Sequence, residues 1–133
     1  MAQFRVERIG TILAVADVER SIAFYRDHLS FIVEATYDDP PYATLIRNGV
    51  RLSLAEQGHP AKDRPGVTMV APEDRSRLPL VLVLEVADAA AVHEALVAEG
   101  VSILAEPFVP PWGGLRFFAV DPDGFLVEIE QPA

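Results

Sequence analysis

The chain has 133 residues, half of them hydrophobic, with no cysteine and a net charge of −9. That apolar share supports a folded core and excludes intrinsic disorder. The missing thiols exclude disulfides, iron–sulfur clusters and cysteine nucleophiles, and the acidic balance argues against nucleic acid or an anionic membrane as partner.

Ile9 to Ala16 reads as a buried strand, and Asp17 as the N-cap of a helix over 18–29. Val18, Ile22, Tyr25 and Leu29 recur there at helical spacing. Phe31 to Tyr37 is expected as a strand, stopped by Asp38-Asp39-Pro40-Pro41. Tyr42–Arg47 and Val50–Ala55 flank Asn48-Gly49, a hairpin signal because both central turn positions need positive φ. Residues 57–78 are polar and Pro-containing, expected as a link that also covers a pocket. Pro79–Val86 then reads as a strand, Asp88 as a cap, and Ala89–Glu99 as a helix whose apolar face is Val92, Leu96 and Val97. Gly100 ends it. Val101–Glu106 is expected as a strand, and Leu115–Val120 and Phe125–Glu130 flank a turn at Asp121-Pro122-Asp123-Gly124.

No apolar run approaches the roughly 20 residues of a spanning helix; the purest, Leu80 to Leu84, ends at Glu85. Gln3, Arg5, Glu7 and Arg8 interrupt the N-terminus, so no signal-peptide core is expected and the cytoplasm is the expected location.

Each half runs strand, helix, strand, strand, strand. Asp88 follows Asp17 by 71 residues and Gly124 follows Gly49 by 75, which marks an internal duplication. The expected fold class is α+β: two tandem βαβββ modules forming a curved mixed sheet, with a concave pocket and helices on the convex side. The modules are expected at 1–56 and 79–133, joined by the 57–78 loop within one domain. Neither buries enough surface alone.

The segments A-D-V-E-R-S-I-A-F-Y-R-D-H-L-S-F at 16–31, A-D-A-A-A-V-H-E-A-L-V-A-E-G-V at 87–101 and F-F-A-V-D-P-D-G-F-L-V-E-I-E at 117–130 carry a resemblance. The chain resembles the vicinal oxygen chelate superfamily, the group of glyoxalases, bleomycin-resistance proteins and extradiol dioxygenases. Metal-dependent members imply four inward ligands, at positions that here are Gly10, Ser53, Val81 and Glu128. Glu128 alone is a ligand type, so the resemblance implies no metal and no cofactor. It is closest in character to the metal-free bleomycin-resistance-type members, and Pro111-Trp112-Gly113 matches a segment common among them. That implies a homodimer that sequesters a drug or secondary metabolite. The alternative is a lyase, isomerase or dioxygenase-type enzyme of the same superfamily, with Glu128 as general base.

With Glu128 inward, strand alternation turns Leu126 and Glu130 inward too. It does the same for Arg51, Ser53, Tyr42, Thr44 and Ile46 in the first half, and for Ile12, Val83 and Glu85 on the first strands. The 75-residue offset maps Tyr42 onto Phe117. The candidate ligand-binding residues are therefore Tyr42, Ser53, Glu85, Trp112 at the rim, Phe117 and Glu128. Aromatic rings and carboxylates suit a cationic or aromatic small molecule. His28, His59 and His93 fall at no ligand spacing and read as surface residues, so no Ser-His-Asp arrangement is expected.

Overall fold

The computed structural model describes residues 1–133. Its elements are β1 (Gly10–Val15), α1 (Val18–Asp27), β2 (Ile32–Asp38), β3 (Pro41–Arg47), β4 (Val50–Glu56), β5 (Val81–Glu85), α2 (Ala89–Ala98), β6 (Leu115–Val120) and β7 (Leu126–Gln131). They form two compact units, residues 1–71 and 72–133, called modules one and two below. The first part of the long loop folds back on module one: Gln57 donates its N–H to the Val15 carbonyl, and its side chain accepts from Ala71 N–H at 2.8 Å.

Module one is a four-stranded sheet in the order β1-β4-β3-β2, with β1 parallel to β4 and the rest antiparallel. The Asp17 carboxylate caps α1 by accepting from Arg20 N–H, as its place before the helical repeat predicts. Val18, Ile22, Tyr25 and Leu29 are buried, facing Leu13, Val15, Ala43, Leu45, Leu52 and Leu54 of the sheet. The opposite face of the sheet carries no helix. Asn48 (φ 49°) and Gly49 (φ 78°) make the two-residue turn between β3 and β4.

Module two is a three-stranded sheet in the order β5-β7-β6, with α2 on one face and Asp88 capping that helix through Ala91 N–H. Three expectations need correction. The strand expected at Val101–Glu106 shrinks to isolated bridges, Ile103 to Ala119 and Phe108 to Arg116. Between the bridges this chain uses two more residues than β6, and Pro107 has no N–H for the ladder. Val97, expected in the apolar face of α2, is 51% exposed, whereas Ala89 and Leu96 are the helix's buried residues.

The third correction concerns register. Arg47 pairs with Val50 in the first hairpin, whereas in the second the last hydrogen-bonded pair is Asp121 and Phe125. The second turn is thus one residue longer, and Gly124 takes the positive φ (92°) that closes it. One residue reverses the facing of the whole strand before the turn. Phe117 therefore pairs with Ile129, is 2% exposed, and meets the His93 ring edge-on at 5.1 Å under α2. It lies on the helix side, not the inward face. Phe118 takes the inward place, opposite Glu128.

Candidate functional site

On the helix-free face of module one, β1 and β4 place Ile12 beside Ser53, and β3 places Thr44 on the other side of Ser53. Tyr42 and Arg51 lie on the same face by alternation. The N-terminal segment Phe4–Arg8 runs along this face, and together they bound an open groove of about 840 Å³. Ser53 is buried there at 6% exposure, while Ile12 is half exposed.

The groove's polar centre is Arg51. Its Nη2 donates to Glu34 Oε1 at 2.7 Å, and the Thr44 hydroxyl donates to the same oxygen at 3.2 Å. Arg51 Nε is buried and has no acceptor. The Arg51 hydrogen bond holds the Glu34 carboxyl below the usual carboxylate range, with smaller contributions from Thr44 and from the charge of Arg8. Glu34 reaches this position through a bulge: the β2–β3 register slips between Val33 and Ala35, which leaves Glu34 as the extra residue.

The helix-free face of module two is organised differently. The Arg116 guanidinium carbon lies 5.3 Å from the Trp112 ring centre and 5.4 Å from that of Phe118. Its Nη1 is 3.7 Å from Glu128 Oε1, with the Glu128 side chain 13% exposed and that of Arg116 27% exposed. An aromatic surface backed by a carboxylate is the arrangement that attracts a cation, and the chain's own arginine occupies it.

Of the residues expected to bind ligand, Tyr42 and Ser53 share the groove of module one, and Trp112 and Glu128 meet at Arg116 in module two. Glu85 is exposed on the edge strand β5, opposite Glu130. Phe117 is in the core. Sequence reasoning missed Glu34, whose aim depends on a bulge that strict alternation over 31–37 hides, and the lining by Phe4–Arg8. Arg116 carried a usable signal, standing two residues before Phe118 on one strand face. The histidines make local contacts: His28 meets Phe24 edge-on, His59 pairs with Glu56 at 2.6 Å, and His93 packs on Phe117.

The positions that would hold a family metal do not fit one. Gly10 has no side chain, and a Cβ built there would lie 3.1 Å from the Arg51 carbonyl oxygen. Ser53 offers a hydroxyl and Val81 nothing, while Glu128 already faces Arg116. No three His, Cys, Asp or Glu side chains come together at metal-binding distance. No helix is long and apolar enough to cross a membrane.

Comparison with known proteins bears on the fold and the family. Among solved structures, the chain is similar to a glyoxalase/bleomycin resistance protein/dioxygenase from Nocardioides, with 21% identity, a TM-score of 0.77, and coverage of 98% of this chain and 85% of that one. It is similar to an antibiotic binding protein from a Streptomyces species at 22% identity and a TM-score of 0.72, covering 100% and 99%. A lactoylglutathione lyase from Agrobacterium tumefaciens matches at 17% identity and a TM-score of 0.74, covering 92% and 91%. At these identities the likeness is one of fold, and that fold is shared by an antibiotic binding protein and a lyase. Among curated proteins none matches the sequence. A family model matches residues 5–129, which takes in both hairpins, both capped helices and both helix-free faces; the chain belongs to the Glyoxalase/Bleomycin resistance protein/Dioxygenase superfamily.

Proposed function

We propose that this chain is a small-molecule-binding member of the superfamily that retains its ligand rather than transforming it, in the manner of drug or secondary-metabolite sequestration. The observation that carries this reading is the groove of module one. Its volume of about 840 Å³ lies within the roughly 300–1,000 Å³ of ligand pockets. Its lining offers apolar surface (Phe4, Ile12, Tyr42) beside polar and charged groups (Arg5, Glu7, Arg8, Thr11, Arg51, Ser53), and its one carboxylate, Glu7, is paired with Arg5 rather than with a hydroxyl. The alternative of Glu128 as a general base gains no support, because its carboxylate faces the Arg116 guanidinium at 3.7 Å on module two and does not line the groove. The antibiotic-binding relative agrees with the reading at the level of fold.

The reading includes a homodimer in the cytoplasm. Edge strand β5 exposes Val83, 50% exposed, beside unpaired backbone groups, the type of surface a second copy covers. Light scattering at micromolar concentration is expected to return twice the monomer mass.

The test of function is a thermal-shift screen of the purified protein against antibiotics and secondary metabolites, followed by mass spectrometry of whatever stabilises it. The expected result is a stoichiometric ligand recovered unchanged. Conversion of that ligand to a product would overturn the binding reading in favour of an enzyme.

A further inference from the structure

The charge of the module-one groove narrows the ligand, an inference that rests on the binding role proposed above. The chain as a whole carries −9, yet the groove gathers Arg5, Arg8 and Arg51 against Glu7. Arg5 is paired with Glu7 at 3.3 Å. That leaves Arg8 and Arg51 with one nearby carboxylate, Glu34, so the balance at this end of the groove is one positive charge. A guanidinium has five N–H donors in a planar fork that matches a carboxylate. Arg51 uses one of them, on Glu34, and its side chain is 43% exposed, which leaves outer N–H groups of the guanidinium open to a ligand.

We propose that the module-one groove binds an organic monocarboxylate, with Arg51 holding the carboxylate and Ser53 adding its hydroxyl. The apolar body lies along Ile12 and Tyr42. Arg51 and Ser53 are two apart on β4 and so share a face, with Ile12 directly beside Ser53 on β1. A cationic ligand would meet Arg8 and Arg51 head-on. A phosphate carries more negative charge than the single positive excess balances. The groove thus selects against the cation that the chain's overall acidity suggests.

Calorimetry on the full chain with 2-naphthoate, 2-naphthamide, 2-naphthylmethylammonium and inorganic phosphate tests this. The four share or lack one aromatic body and differ in charge. The expected order puts naphthoate about tenfold or more ahead of the amide, the scale of a charge-assisted pair, with the ammonium weakest and phosphate failing to displace naphthoate. In Arg51→Met the preference for naphthoate over the amide disappears, Arg51→Lys keeps part of it, and Arg116→Met leaves it intact. Amide or ammonium binding as tightly as naphthoate would overturn the carboxylate inference while leaving the binding role standing. Displacement of naphthoate by phosphate, or loss of the preference in Arg116→Met rather than Arg51→Met, would overturn it too. Failure of every naphthyl probe to bind would overturn the carboxylate inference, and the binding role would fall with it only if the thermal-shift screen also found no ligand. The wild-type ranking needs no variant, and circular dichroism of each variant separates misfolding from lost recognition.

Discussion

In module one, Arg51 lies on the helix-free face of its sheet with one donor in use, on Glu34 at 2.7 Å, and with its Nε buried and unsatisfied. In module two, Arg116 lies against Trp112 and Phe118 and faces Glu128 at 3.7 Å. Both modules descend from one element order, and both put an arginine on the corresponding face. The first arginine is left with donors to give, whereas the second is covered by aromatic rings and balanced by a carboxylate. A duplicated fold can thus keep one face open for recognition and fill its counterpart with its own side chain. The difference begins in the hairpins, where a two-residue turn in one module and a longer turn in the other set which side chains face inward.

The largest expected effect tests that register. Phe117 is 2% exposed beneath α2, and Phe118 is half-buried on the other face. Phe117→Ala is expected to cost about 3–5 kcal/mol, the range for deleting a core aromatic. Phe118→Ala removes partial burial and one cation–π contact, under about 2 kcal/mol. Urea denaturation of the two variants measures both. Equal losses, or a larger loss for Phe118→Ala, would mean that β6 faces the other way.

Next in size is the turn itself. Asp121 is 2% exposed, and its Oδ1 accepts from the N–H groups of Asp123 and Phe125, each at 2.9 Å. Asp121→Ala strands these donors, a loss of about 2–3 kcal/mol. In the other hairpin, Asn48 holds a φ of 49° with its side chain exposed. Asn48→Ala is expected to cost only the left-handed backbone penalty, about 1 kcal/mol. If the two variants lose the same stability in chemical denaturation, the buried carboxylate is not what sets the longer turn.

These cases also mark what was legible in the sequence. Helix caps at Asp17 and Asp88, the duplication and the Asn48-Gly49 hairpin follow from local rules, and local rules act within a few residues. The sheet faces of β1, β4 and β7 follow from alternation and put Ser53 and Glu128 on helix-free faces. Phe117 does not follow, because the 75-residue offset that holds for the strand after the turn fails for the strand before it. Glu34 does not follow either, since a bulge changes where a side chain aims without changing the apolar pattern that announces the strand. The pairing of Arg116 with Trp112 and Glu128 joins three segments, and no spacing rule covers contacts of that kind.

A smaller effect is expected at Arg116. Trp112 is the chain's single tryptophan, so its fluorescence reports on this site alone. Arg116→Ala is expected to cost about 1 kcal/mol, from one cation–π contact and a partly exposed ion pair. Trp112 is already 64% exposed, so its emission maximum should stay near the solvent value while its intensity reports the loss of the guanidinium over the ring. Choline should then quench it in the variant and not in the wild type. Choline quenching of equal strength in both proteins would show that Arg116 does not hold the place of a cation.

The smallest stability effect belongs to Glu34, and it links the two kinds of arginine. Arg51 holds its carboxyl below the ordinary range. A lowered folded-state pKa contributes stability above the unfolded-state pKa, and that contribution fades as pH falls through the folded-state value. Glu34→Gln should therefore lose a little stability at neutral pH, and the gap to wild type should close in acid. The pair is more than a third exposed, so the gap stays small. Ligand binding should respond in the opposite sense. Removing the one carboxylate bound to Arg51 gives module one a stronger positive balance, so 2-naphthoate should bind Glu34→Gln more tightly than wild type at pH about 7, where Glu34 is ionised. If calorimetry instead finds weaker binding, Glu34 positions the guanidinium rather than competing for it. The open arginine would then resemble the covered one, each held in place by its own carboxylate.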